Sequence, residues 1–152
     1  MEKEKLDLIN ELNGAIVKFR GYYSAWSARQ GMSYHELLIC YSIREYGVCT
    51  QKQICDSYLL PKQTIHHVFG KLRNAGILQQ LPIKTADREK VFVLTEMGKE
   101  YFSDFILQLD AAETAAFEKV GQDKLQKLRD LFLEYDSALK DALKGGKKNG
   151  KR

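Results

Sequence analysis

The sequence predicts a mostly α-helical fold with one small β-hairpin set into it. Three observations carry that expectation. Residues 2–29 and 96–143 place apolar side chains at steps of three and four, the period of helices that bury one face. Residues 33–76 break into short helical stretches, marked by capped starts and glycine stops. Residues 77–94 then carry two β-favouring runs around a polar, turn-prone tip.

Composition sets the outer bounds. A chain of 152 residues suits one compact domain or two closely packed ones, with enough length for a real core. Hydrophobic content of 44% and a charged fraction of 29% are those of a soluble globular protein. No apolar run approaches the roughly 20 residues that cross a bilayer, and the opening MEKEKLDLIN has no signal-peptide core. A cytoplasmic protein with no membrane partner is expected. The net charge of +4 is unevenly spread: residues 50–95 hold seven basic side chains against three acidic, whereas 96–143 hold six against eleven. Positive charge is thus concentrated on the middle of the chain and on the tail KGGKKNGKR, which suits a polyanionic partner for the middle. Cys40, Cys49 and Cys55 form an odd count without CxxC spacing, so neither a disulfide framework nor a zinc ribbon is expected.

Taken in order, the first helix spans residues 2–29 with Leu6, Ile9, Leu12, Ile16, Phe19, Tyr23 and Trp26 on one stripe, and Gly31 stops it. Ser33 and Glu36 form a capping box that opens a helix from Tyr34 to Tyr46, burying Leu37, Cys40, Tyr41 and Ile43 before Gly47. Thr50 and Gln53 repeat the device and start the next short helix, with Ile54, Cys55 and Tyr58. This punctuation is what a helix-turn-helix requires. Pro61 stands where a helix start tolerates proline, and the following helix runs from Lys62 to Asn74. At 100° per residue, Ile65, Val68, Phe69 and Leu72 share one arc and face the core. The opposite arc carries Gln63, His66, His67, Gly70 and Asn74, a polar and nearly uncharged face suited to base edges, with Lys62, Thr64 and Lys71 on its flanks. A mid-helix glycine such as Gly70 is unfavourable by about 1 kcal/mol against alanine, which close approach of another backbone or a sugar-phosphate strand would explain.

Strands are expected from Ile77 to Ile83 and from Val91 to Leu94, with Pro82 confining the first to an edge. The tip between them, Lys84 to Lys90, makes a basic wing. Thr95 caps a helix reaching about Val120, with Tyr101, Phe105, Ile106, Leu109, Ala112, Ala116 and Phe117 on its buried side. Asp123 and Gln126 cap a last helix showing Leu125, Leu128, Phe132, Tyr135, Leu139 and Leu143. The fold class is therefore a winged helix-turn-helix with long N- and C-terminal dimerisation helices. Its expected parts are a DNA-binding domain at 33–95, a helical dimerisation region at 1–30 and 96–143, and a disordered basic tail at 144–152. Such apolar stripes exceed what a small domain needs internally and point to an intertwined homodimer.

With this order in place, the chain resembles the multiple-antibiotic-resistance regulator (MarR) family over about residues 5 to 143. EYGVCTQKQI is similar to the family's glycine turn into the first helix of the motif, and LPKQTIHHVFGKLRNAGIL to its recognition helix and glycine stop. ADREKVFVLTEMGKEY matches its wing and the helix after it. The resemblance implies a homodimer that binds a pseudo-palindromic operator in double-stranded DNA and is released by a small-molecule or oxidative signal, with repression as the family habit. Two departures stand out. Arg88 occupies the wing-arginine position, but Ala86 stands where the family usually has an acidic residue, and Asp87 is displaced by one. His66 and His67 replace the more usual threonine and arginine, which implies an unusual operator preference.

Competing readings carry less. Adjacent His66 and His67 diverge by 100° on a helix and do not easily share a metal ion, and His35 is isolated, so no metal site is expected. The three cysteines fit small apolar slots better than the exposed thiolate a redox sensor needs. Tyr22, Tyr23, Trp26 and Tyr34 gather where the first two helices meet; the resemblance implies a crevice there for a small aromatic effector, and ordinary dimer core is the alternative. No nucleophile–base arrangement or phosphate-cradling loop suggests an enzyme, and neither a catalytic residue nor a cofactor is expected. Alternatives of the same fold are a thiol- or metal-responsive regulator and a protein-interaction module, though the latter would show exposed apolar anchors on the recognition face. The expected DNA-binding set is Lys62, Gln63, Thr64, His66, His67, Lys71, Arg88 and Lys90.

Overall fold

A computed structural model describes residues 1–145. Six helices and one hairpin follow in the order α1 (Glu2–Arg29), α2 (Tyr34–Tyr46), α3 (Gln51–Tyr58), α4 (Lys62–Asn74), β1 (Leu78–Lys84), β2 (Lys90–Leu94), α5 (Glu96–Val120) and α6 (Gln122–Gly145). The predicted class is the observed one, a mostly α chain with a two-stranded antiparallel wing. Of the basic tail expected at 144–152, Lys144 and Gly145 close α6, and the rest lies outside the described residues. The chain divides into two compact units, Met1–Phe105 and the segment from Ile106 onward, so the division falls inside α5.

The first unit is built on the helix-turn-helix. Ser33 and Glu36 form the complete capping box at the start of α2, and Gly47 ends that helix in the left-handed region at φ 75°. The Thr50 hydroxyl accepts from the Gln53 amide and opens α3. The exit of α3 was not legible in advance: Leu59, not a glycine, takes the left-handed position, at φ 51° and ψ 44°. Pro61 then serves as the N-cap of α4, with no side-chain bond to its free amides. The core packs Leu37, Ile39 and Cys40 of α2, Ile54 of α3, and Ile65, Phe69 and Leu72 of α4, all buried, against Phe92 of the wing. The Phe69 and Phe92 rings meet edge to face at 4.9 Å. Tyr41, expected inside with them, is only half-buried.

The wing pairs Leu78 with Leu94 and Gln80 with Phe92, then slips in register before Lys84 meets Lys90. Pro82 sits inside that slip; lacking an N–H, it cannot continue the ladder, which accounts for the irregularity. On its other side, Phe92 exchanges backbone hydrogen bonds with Cys49, both at 2.9 Å. That short third rung, which the four-residue stretch between α2 and α3 does not announce, anchors the wing to the helix-turn-helix. Thr95 locks the wing base to α5: its hydroxyl donates to the Gly76 carbonyl at 2.6 Å and accepts from the Gly98 amide at 3.0 Å.

Two expectations about the terminal helices need correction. On α5 Phe105 and Leu109 are buried as expected, but the aromatic that joins them is Phe102, 2% exposed, while Tyr101 is 44% exposed. Ala112, Ala116 and Phe117 are exposed rather than inward. Asp123 is not a cap either: α6 begins at Gln122, directly after Gly121 at φ 92°. No described residue of α6 is buried, and Leu6, Ile9, Leu12 and Phe19 of α1 also face solvent in the single chain.

Candidate nucleic-acid interface

The polar face of α4 follows from its own periodicity. Burial of Ile65, Val68, Phe69 and Leu72 fixes the helix rotation, so Gln63, His66, His67 and Asn74 are exposed on the far side. Lys62 is exposed and Thr64 half-buried at the N-terminal end. Nothing stands within 4 Å of where a Cβ on Gly70 would lie, so no close approach within the chain explains that glycine.

His66 is held from the neighbouring helix, its Nδ1 lying 3.2 Å from Oε1 of Gln51. Nothing in the sequence marks Gln51, because contact between the first residue of α3 and the second turn of α4 depends on a turn geometry that spacing does not reveal. Gln51 and His66, with Arg88, Glu89 and Lys90 of the wing, line a recess of about 250 Å³. A second, of about 330 Å³, runs along His66, His67, Gly70, Lys71 and Asn74. His66 lines both recesses, so the polar side of α4 and the wing tip border adjoining hollows.

The wing tip is tightly turned. The Arg88 amide donates to the Thr85 carbonyl at 2.9 Å, and the Thr85 hydroxyl accepts from the Glu89 amide at 3.0 Å. Arg88 itself takes the left-handed backbone at φ 61°. Arg88 and Lys90 are exposed. The Thr85 carbonyl and hydroxyl thus set the backbone on which Arg88 stands.

Lys71 differs from the other flanking cations. Its ammonium lies 2.9 Å from Oε1 of Glu36, whose side chain is only 3% exposed. Burial alone would raise the Glu36 carboxyl; the hydrogen bonds from Lys71 and Ser33 outweigh it and hold the group below the usual carboxylate range.

The aromatic set does not share one environment. Tyr22 is exposed, Tyr23 meets Phe19 edge to face at 5.4 Å, Trp26 packs on Phe105 at 4.4 Å, and Tyr34 lies 5.6 Å beneath the Arg20 guanidinium. Cys40 and Cys49 are buried, and burial pushes both thiols up to about 12, far from a reactive thiolate. Cys55 is half-buried rather than seated in the core, and burial followed by the nearby Asp56 charge raises its thiol as well. Among the described residues, no three His, Cys, Asp or Glu side chains converge on a metal-sized site, and no helix is long and apolar enough to cross a membrane.

No protein-family model and no curated protein matches this sequence. Solved structures do. The chain is similar to NMB1585, a MarR family regulator from Neisseria meningitidis, with a TM-score of 0.83 and 21% identity over 91% of this chain and 98% of that one. It is similar to NadR in complex with 4-hydroxyphenylacetate, with a TM-score of 0.69 and 17% identity over 82% and 91% of the two chains. Staphylococcus aureus MarR in complex with salicylate and kanamycin follows at 0.69 and 16%, over 90% and 93%. The chain therefore has the winged helix-turn-helix fold of the MarR family regulators.

Proposed function

We propose that this chain is a MarR-type transcriptional regulator acting in the cytoplasm, a homodimer that binds a pseudo-palindromic operator in double-stranded DNA. The observation that carries the proposal is the exposed polar face of α4 beside a cationic wing. Gln63, His66 and His67 offer donors and acceptors to base edges in the major groove. Lys62 and Thr64 position on phosphate, and Arg88 with Lys90 borders the minor groove. Lys71, whose ammonium is already held by Glu36, is left out of that set. The protein-interaction alternative lacks its expected apolar anchors, because Ile65, Val68 and Phe69 all point inward.

Dimerisation is supported by the apolar residues that a lone chain leaves in water, among them Leu6, Leu12 and Phe19 on α1 and Leu131, Phe132 and Leu139 on α6. Two copies place two reading heads at a fixed separation, and an effector acts by favouring one separation over another. An aromatic acid is the effector class favoured by 4-hydroxyphenylacetate in the NadR structure and salicylate in the S. aureus MarR structure. Repression is the expected output.

The experiment is selection of bound duplexes from random sequence at two salt concentrations, with and without an aromatic acid, alongside the sedimentation mass of the free protein. Enrichment of a two-fold symmetric motif by a dimer supports the proposal. With Lys62, Arg88 and Lys90 as three DNA-facing cations per subunit, the affinity should fall with log salt at a slope of about −5. A monomer, or affinity that ignores sequence, contradicts it.

A further inference from the structure

Glu36 is a charged side chain at the third position of α2 that is almost wholly removed from water. A carboxylate so placed persists only when its oxygens are paired, and both are. Oε2 accepts from the Ser33 amide at 2.6 Å, and Oε1 meets the Lys71 ammonium at 2.9 Å. The Glu36 amide in turn donates to the Ser33 hydroxyl at 3.2 Å.

The two partners belong to different machinery. Ser33 stands at the joint where α1 gives way to α2, next to Met32, which is buried and whose amide returns to the Ser27 carbonyl at 3.0 Å. Lys71 lies on α4, one helical turn after His67 and next to Gly70. A single carboxylate thus ties the recognition helix to the α1–α2 joint. Although 60% exposed, the Lys71 side chain directs its charged end back to α2.

We infer that Glu36 is a positioning residue for DNA reading, and that Lys71 is the strut it grips rather than a contact to phosphate. This deepens the proposed DNA-binding function and rests on it. The joint sets the angle at which the His67 end of α4 is presented, so a displacement of α1 reaches the reading face through Ser33, Glu36 and Lys71 in turn. The chemistry distinguishes this role from a simple phosphate contact: a phosphate-neutralising lysine releases counterions when it binds, whereas a lysine already neutralised inside the protein does not.

The test measures operator affinity against salt for the full-length protein and for E36Q, K71M, K71R, the double variant E36Q/K71M and, as a phosphate-contact control, K62M. Thermal melting establishes that each is folded at the assay temperature. The expected result is that K71M and E36Q each weaken binding about tenfold, that the double variant is no weaker than either single one, and that K71R recovers affinity. The salt slope of K71M should equal that of the unaltered protein, while K62M flattens it by about two, one per subunit. A K71M slope reduced like that of K62M, additive losses, or E36Q binding at full affinity overturns the inference. K71M leaves the buried Glu36 carboxylate without its cation; where that variant does not fold, the double variant E36Q/K71M carries no such charge, and its salt slope then decides. Loss of all sequence preference in the unaltered protein overturns the DNA-binding reading itself, an outcome distinct from any difference among variants.

Discussion

Two glycines inside helices should respond to the same substitution with opposite signs. Gly70 lies mid-way along α4 with nothing within 4 Å of a prospective Cβ. Replacement by alanine there removes the unfolded-state freedom of glycine and adds no clash, so Gly70→Ala should stabilise the fold by about 1 kcal/mol. For a chain of this size that is a rise in melting temperature of about 3 °C. Gly98, in the first turn of α5, is different: a Cβ would collide with the Ile77 carbonyl oxygen and crowd the Leu94 side chain at 3.2 Å. The colliding atom is backbone, already bonded to the Thr95 amide at 3.0 Å, and cannot rotate away. Gly98→Ala should therefore destabilise by about 1–3 kcal/mol, the usual range for forced overpacking, despite alanine's better helix propensity. Urea denaturation followed by circular dichroism reads both. The same G70A protein should bind operator more weakly, because its new methyl lies on the face proposed to enter the groove. Destabilisation by G70A would refute the account of that position as open surface, and unchanged operator affinity would remove the close approach of DNA as the reason for the glycine.

Gln63→Ala and His67→Ala should each lower operator affinity by about 1–3 kcal/mol per lost base contact, with melting temperatures unchanged since both side chains are exposed; fluorescence anisotropy with a labelled duplex measures it, and full affinity in both would remove their reading role. The Glu36 carboxyl is held below its ordinary value of 4.5, burial being outweighed by Lys71 and Ser33. Because the folded-state value lies below the unfolded one, its contribution to stability is complete above 4.5 and is lost as pH falls through the folded value. Denaturation midpoints of the unaltered protein and E36Q should accordingly converge as the solution is acidified below that range, and a gap that widens on acidification would contradict the assignment. Leu59 holds a left-handed backbone while 91% exposed. Leu59→Gly should relieve about 1–2 kcal/mol of strain and return about half of it as unfolded-state entropy, leaving a net gain visible by denaturant titration; a loss would show that the leucine side chain is held by contacts of its own.

The sequence made the elements legible wherever local chemistry decides them. The span of α4, its four inward residues and the capping box at Ser33 all follow from period and cap, and they stand as expected. What depends on two segments meeting was hidden. The Cys49–Phe92 rung, the Gln51–His66 contact and the Glu36–Lys71 pair join residues far apart in sequence, and no local pattern encodes them. On α5 Phe105 and Leu109 turn inward as their spacing implies, but Tyr101 and Phe102 are aromatic neighbours, and only the packing partner decides that Phe102 is the one buried. The end of α3 carries no signal in the sequence, because it relies on a left-handed leucine where glycine is the usual mark.

The central claim is that the outward side of α4 reads bases, and an altered-specificity selection tests it most directly. Duplexes selected by the unaltered protein and by a Gln63→Ala variant would be compared position by position. The account predicts one motif in which preference relaxes at a symmetric pair of base pairs, one in each half-site, while the others hold. An identical motif from both proteins, or weakening spread evenly over every position, would contradict it.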